Sequence, residues 1–313
     1  MEFLQIVIGL LLLVFGGDYL VKGASGIALK INVPSMLVGM TVVALGTSSP
    51  ELVVSLNAAL SGKPDISVGN VVGSNIANVA LILGVTAIIF PLAVKRKALQ
   101  FDWLLMMAAS VIFYLLALDG GFSRLEGFIF VSLLVGFIVF SFVKARNSKV
   151  EAEQSTVNEE NQSKKWWVLL VFVILGTSGL ILGANWFLSG AETIARNFGV
   201  SDRVIAITLV AFGTSVPELA ASSIAAFRKE QEISIGNIFG SNLFNLLAII
   251  GITAIVSPMK VAEEILSFDI FWMLATSFAI LPMALIKSRI GRLDGVLLLF
   301  VYGVFIYLLL VSP

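Results

Sequence analysis

The chain has no cysteine and no histidine among its 313 residues. Without cysteine there are no disulfides, thiolate nucleophiles, iron–sulfur clusters or cysteine-type zinc sites. Without imidazole there is no Ser-His relay, no HExxH metalloprotease site and no His-ligated haem, which removes most membrane-embedded hydrolases. Charge is scarce too. Only 13% of residues are charged, against about 25% in ordinary domains, and the 20 basic and 20 acidic side chains cancel. A neutral chain of this kind offers nothing general to nucleic acid. What is plentiful is oil: 58% of the residues are apolar, more than a water-soluble core needs, so the excess must face a lipid bilayer. The chemistry left to the chain is that of carboxylates, hydroxyls, amides and backbone carbonyls, which are hard oxygen ligands for hard cations.

A membrane span needs roughly 20 predominantly apolar residues. Ten such runs occur, at about 3–24, 34–60, 67–91, 101–118, 124–143, 166–188, 202–227, 233–257, 268–286 and 293–311. Only Met1 and Glu2 precede the first run, so it reads as a retained helix rather than a cleaved leader. Alternate loops differ in basic residues. With the N-terminus outside, the inner loops hold Lys30, Lys95, Arg96, Lys97, Lys144, Arg146, Lys149, Lys164, Lys165, Arg228, Lys229, Lys287, Arg289 and Arg292. The outer loops then hold only Lys63, Arg124, Arg196, Arg203 and Lys260, which predicts that both termini are outside. The polar stretch 144–165 has almost nothing to bury and reads as a solvated inner linker.

The two halves repeat. VALGTSSPEL at 43–52 returns as VAFGTSVPEL at 210–219, and ISVGNVVGSNIAN at 66–78 returns as ISIGNIFGSNLFN at 233–245, each offset by 167. The same offset pairs Gly9 with Gly176, Gly84 with Gly251, Thr86 with Thr253 and Pro91 with Pro258. It slips by one further on, where Arg124 matches Arg292 and Gly127 matches Gly295. Five spans per half is an odd number, so the second copy enters the membrane from the other side. The expected architecture is therefore an all-α membrane protein of ten helices in two inverted repeats, 1–143 and 166–313, joined by the linker. That is the plan of secondary transporters, which bind substrate near the midplane at interrupted helices.

The interruptions are legible. Pro50 has no N–H for the carbonyl of Gly46, and Pro217 none for that of Gly213, so spans two and seven must break near Gly46–Thr47 and Gly213–Thr214. The first half-helices would end in free carbonyls at Ala44 to Gly46 and Ala211 to Gly213, at the negative end of a dipole that suits a cation. The second halves begin with the hydroxyls of Thr47, Ser48, Thr214 and Ser215. One turn later stand Glu51 and Glu218, in spans that contain no lysine or arginine between Ile31 and Leu60 or between Val204 and Phe227. A charge at the bilayer centre costs about 2.5–3.5 kcal/mol on insertion scales, so each carboxylate needs a partner, and a metal ion can serve. S-x-x-E at both places is also a capping box, a plainer reading compatible with an ion site. Asn70, Ser74 and Asn78, repeated as Asn237, Ser241 and Asn245, line one helix face at i, i+4 and i+8. Such stripes can be interhelical glue, but beside paired carboxylates Ser74, Asn78, Ser241 and Asn245 read as ion ligands. Asn70, Asn75, Asn237 and Asn242 are supporting candidates. Gly69 with Gly73 and Gly236 with Gly240 would let a neighbouring backbone approach. Asp18 and Lys22, at i and i+4, read as a local ion pair.

At GTSSPE with GNVVGSNIAN and GTSVPE with GNIFGSNLFN, the chain resembles the sodium/calcium exchanger family of the cation/calcium antiporter superfamily. The resemblance implies alternating access in which sodium entry drives calcium export, with no cofactor and no enzymatic step. By that likeness Glu51, Glu218, Thr47 and Thr214 bind calcium and sodium. Ser48, Ser215, Ser74, Ser241 and the carbonyls of Ala44 and Ala211 complete sodium sites. Where some members carry an aspartate, this chain has Asn245. A proton/calcium antiporter is the alternative within transport and a passive cation channel the alternative outside it. The compact chain points to a prokaryotic plasma membrane, and a single copy suffices for the mechanism.

Overall fold

The computed structural model describes residues 2–94, 99–147, 164–199 and 213–311. The described chain is helical apart from four two-residue strands. The helices are α1 (Glu2–Ile31), α2 (Ser35–Thr47), α3 (Ser49–Leu60), α4 (Pro64–Ile89), α5 (Gln100–Ala117), α6 (Arg124–Arg146), α7 (Trp166–Asn197), α8 (Val216–Phe227), α9 (Gln231–Val256), α10 (Ile265–Ile286) and α11 (Arg292–Val311). Eight of them are long and apolar enough to cross a membrane, and the bent pair of α2 and α3 makes up to nine spans among the described residues. Of the seventh run only 213–227, which hold α8, are described; residues 202–212 lie outside the described residues, as do most of the 144–165 linker and the basic residues Lys95, Arg96, Lys97, Lys149 and Arg203. Two helices outrun their apolar segments. α1 continues past Asp18 and Lys22 to Ile31 because Gly23 to Ala28 are buried, and α7 continues to Asn197.

The chain forms two compact units, each drawing on both repeats: residues 1–50 with 142–237, and 51–141 with 238–313. In the first unit α1 lies along α7. Leu13, Leu20, Val21, Leu169, Leu180 and Ala184 make its core together with Val216 and Ala221 of α8. Glycines permit the approach. A Cβ on Gly9 would stand 2.8 Å from the carbonyl of Gly183, and one on Gly16 would stand 2.9 Å from that of Gly176. Gly9 and Gly16 are the repeat mates of Gly176 and Gly183, so each glycine meets the mate of the other.

The second unit obeys the same rule. Gly127 of α6 faces the carbonyl of Gly251 in α9, with a Cβ-to-oxygen distance of 2.7 Å, while Gly295 of α11 faces that of Gly84 in α4 at 2.6 Å. The strands β1 (Leu92–Ala93), β2 (Gly121–Phe122), β3 (Met259–Lys260) and β4 (Arg289–Ile290) pair antiparallel as β1 with β4 and β2 with β3. Leu92 faces Ile290 and Phe122 faces Met259. β1 and β3 are repeat mates, as are β2 and β4, so the two small sheets are one contact made twice.

The glycines of the two G-x-x-x-G pairs differ in what the described residues bring to them. Gly236 does admit a backbone, that of α2, where a Cβ would lie 3.2 Å from the Cα of Gly39. Among the described residues Gly69 has nothing nearer than Ile265 Cδ1 at 4.0 Å, and Gly73 has nothing within 4 Å. No described helix presses on that face of α4. The repeat mate of Gly39 is Ala206, which lies outside the described residues.

Candidate ion-binding site

In the first unit the helix breaks at Ser48 (φ −85°, ψ 7°), one residue beyond the position that Pro50 predicts, leaving α2 and α3 as a bent pair. The carbonyls before the break are not all free. That of Ala44 accepts the Ser48 N–H at 2.9 Å, and that of Leu45 accepts the Ser49 hydroxyl at 2.6 Å. The Ala44 carbonyl also lies 3.4 Å from Thr47 Oγ1, so its second lone pair is open to a cation only while Thr47 turns its proton elsewhere. The Ala211 carbonyl lies outside the described residues.

Thr47 is fully buried, with Oγ1 3.2 Å from the Val43 carbonyl and 3.2 Å from Asn237 Oδ1. One hydroxyl has one proton, so Thr47 can satisfy only one of these acceptors at a time. Glu218, 2% exposed in the first turn of α8, accepts a hydrogen bond from Ser48 Oγ at 2.9 Å through Oε1. Its Oε2 is buried and accepts none, and no salt bridge reaches it among the described residues. Ser215 precedes α8 without capping it by its side chain, so the capping-box reading does not describe this helix start. Its Oγ and the Oγ1 of Thr214 are also buried, with no hydrogen-bond partner among the described residues. Five oxygens around one helix start therefore belong to a carboxylate and three hydroxyls, and three of the five are unsatisfied among the described residues. Buried polar groups are normally paired, so these are acceptors suited to a cation or its water.

The second unit carries the mates. Glu51, 1% exposed, sits in the first turn of α3. Ser74 and Asn78 of α4 and Ser241 and Asn245 of α9 are all buried. Ser241 Oγ, Asn78 Oδ1 and Asn245 Oδ1 have no hydrogen-bond partner among the described residues. Asn75 and Asn242 join Asn78 and Asn245 in one hydrogen-bonded set.

Two partners escape a motif-by-motif reading. Asn70 Nδ2 donates to Ser55 Oγ at 2.9 Å in the second unit, and Asn237 Nδ2 donates to Ser222 Oγ at 2.9 Å in the first. Ser55 and Ser222 are 167 residues apart, so comparing the repeats outside the signature segments finds them. Asp18 and Lys22 form the expected ion pair at 2.7 Å, and Asp18 also pairs with Arg228.

The sequence profile of the sodium/calcium exchanger protein family matches residues 1–143 and 168–311. The putative antiporter CaxA of Alkalimonas amylolytica is 36% identical over 98% of both chains. The sodium/calcium exchanger MaX1 of Methanosarcina acetivorans is 33% identical, again over 98% of both. A solved structure of the sodium-calcium exchanger NCX_Mj superposes with a TM-score of 0.84 at 32% identity, covering 98% of each chain. The chain belongs to the sodium/calcium exchanger family, whose members are membrane antiporters of calcium and sodium and not enzymes.

Proposed function

We propose that this protein exchanges sodium for calcium by alternating access, and that Glu51 and Glu218 together carry either one calcium or several sodium ions. The observation that carries the reading is Glu218. A carboxylate buried in an apolar helix, bonded through one oxygen to Ser48 and unsatisfied at the other, is a costly thing to keep unless a cation joins it. Glu51 holds the matching place in the other repeat, in an equally buried position. Thr47, Thr214, Ser48, Ser215, Ser74, Ser241, Asn78, Asn245 and the carbonyls of Ala44 and Ala211 supply neutral oxygens to complete the ion shells. Two negative charges with neutral oxygens suit either load, and the loads exclude one another because their oxygens overlap, the two carboxylates serving both. The empty pair of carboxylates resists transit through hydrocarbon, so access switches only when the site is loaded, which couples the two fluxes.

Ten spans in two inverted five-helix repeats, with both termini outside a prokaryotic plasma membrane, are part of the same reading. The exchanged glycine and strand contacts support it, since a contact in which each partner meets the mate of the other is what a two-fold relation between copies produces.

The experiment is calcium-45 uptake into proteoliposomes of purified protein, with sodium, potassium or proton gradients imposed in turn. Uptake driven by internal sodium, and lost in both Glu51→Gln and Glu218→Gln while the proteins stay folded, is the expected result. Uptake that follows a proton gradient alone makes the protein a proton/calcium antiporter. Wild-type uptake in the glutamine variants overturns the site.

A further inference from the structure

Four buried asparagines of the second unit bond to one another in two repeat-related pairs. Asn245 Nδ2 donates to Asn75 Oδ1 at 3.0 Å, and Asn78 Nδ2 donates to Asn242 Oδ1 at 3.0 Å. Asn75 and Asn242 are repeat mates, and so are Asn78 and Asn245. Behind them stand two methionines, also 167 residues apart. Asn75 Nδ2 donates to the carbonyl of Asn242 at 3.3 Å and to Met273 Sδ at 3.7 Å, while Asn242 Nδ2 donates to Met106 Sδ at 3.5 Å.

The two ends of a side-chain amide are distinguished by what faces them. A backbone carbonyl accepts and cannot donate, and so does a thioether. Asn75 must therefore turn its NH2 towards the Asn242 carbonyl and Met273, which leaves its oxygen towards Asn245. Asn245 must then offer its NH2 to that oxygen, and its own Oδ1 is left on the other side. The same chain of reasoning runs from Met106 through Asn242 to Asn78. The two oxygens left over, Asn78 Oδ1 and Asn245 Oδ1, are the ones that are buried without a hydrogen bond among the described residues.

We propose that Asn75 and Asn242 are positioning residues, which lock the amides of Asn245 and Asn78 so that carbonyl oxygens and not NH2 groups face the transported cation. This rests on the ion-site reading above and adds to it the residues that orient two of its ligands. The lock matters because an amide has a wrong end. Rotated by half a turn, Asn245 would offer the cation two N–H donors in place of an oxygen. An aspartate has no such problem, since its two oxygens are alike. At Asn245 and Asn78 this chain uses the side chain that needs orienting, and it surrounds both with partners that can orient it.

The equivalence of carboxylate oxygens gives the test. Calcium half-saturation of sodium-driven calcium-45 uptake is measured for Asn75→Leu, Asn245→Asp and the double variant, and independently for Asn242→Leu, Asn78→Asp and their double variant. Removing a group that orients a metal ligand typically costs 10–100-fold in metal affinity, so each Leu variant alone should raise half-saturation about tenfold. Added to its Asp partner, the same Leu change should move half-saturation by less than about twofold, because no orientation remains to be lost. A cycle in which the Leu variant costs the same factor in both backgrounds overturns the proposal and leaves the asparagine as packing. Should one Leu variant fail to fold, the other cycle decides. Failure of the broader reading is visible separately. If Glu51→Gln transports like wild type, the ion site itself is wrong, whereas additive cycles with an intact Glu51 dependence remove only the positioning role.

Discussion

Ser48 donates its hydroxyl proton to Glu218 across 170 residues of sequence, at 2.9 Å. The GTS segment of one repeat thus reaches the carboxylate of the other within a single compact unit. A hydrogen bond to a charged group contributes about 1.5–3 kcal/mol. The hydroxyl oxygen itself keeps its lone pairs for an ion.

Ser48→Ala separates the two loads. In the proposed scheme the Ser48 oxygen completes a sodium shell and is no calcium ligand. The sodium concentration that halves calcium-45 uptake should rise about tenfold, in keeping with one lost charge-assisted contact, while calcium half-saturation moves by less than about threefold. Ser48→Thr, which keeps the hydroxyl, should retain sodium competition. Equal losses for both ions would contradict the assignment of this oxygen to sodium.

The pH dependence of stability should carry the mark of Glu230. This residue stands in the turn before α9, accepts a hydrogen bond from Ser25 of α1 at 3.2 Å, and is pushed up to about 7, chiefly by burial, with Glu232 adding to the rise and Ser25 opposing it. The folded protein therefore holds a proton here that the unfolded chain releases near pH 4.5. Its contribution to stability is full below that pH and is lost as pH rises through 7. Thermal unfolding in detergent should show wild type losing stability from pH 5.5 to 8, and Glu230→Gln, which keeps a neutral acceptor for Ser25, should flatten that slope. An unchanged slope would remove Glu230 from the account.

Glycines that look alike in sequence should tolerate substitution differently. A methyl on Gly16 would meet the Leu180 nitrogen at 2.7 Å and the Gly176 carbonyl at 2.9 Å, backbone atoms that cannot step aside. Overpacking of this kind costs about 1–3 kcal/mol or more, so Gly16→Ala should lower the melting temperature sharply or prevent folding. A methyl on Gly73 meets nothing within 4 Å among the described residues, and Gly73→Ala gains about 1 kcal/mol of helix propensity, so it should melt at or above wild type.

Much of this molecule is legible in its sequence because the repeat states each feature twice. The break before Pro50, the burial of Glu51 and Glu218, the Asp18–Lys22 pair and the helical character all follow from residue type and offset. What escapes is whatever depends on a neighbour in space. GxxxG spacing does not say whether a helix comes near, and among the described residues Gly236 has one where Gly73 does not. Pro50 removes a donor from Gly46 but says nothing of the Ser49 hydroxyl that reaches Leu45. Met106 and Met273 look like lipid-facing oil until two asparagine amides are found pointing at their sulfurs.

The unsatisfied hydroxyls allow a last prediction whose sign depends on sodium. Thr214 Oγ1 is buried and has no hydrogen-bond partner among the described residues. Leaving such a group buried costs about 1–3 kcal/mol, and replacing it by an apolar group of the same shape relieves that cost. Thr214→Val should thus melt at or above wild type in sodium-free buffer. A ligand that binds only the folded state raises its stability with concentration, so sodium should raise the melting temperature of wild type progressively. If Thr214 is a sodium ligand, that rise is what the valine variant loses, and at high sodium the order of the two proteins reverses. A valine variant that is stabilised by sodium as strongly as wild type would take Thr214 out of the site, while one that is less stable without sodium would show that its hydroxyl is satisfied by the protein itself.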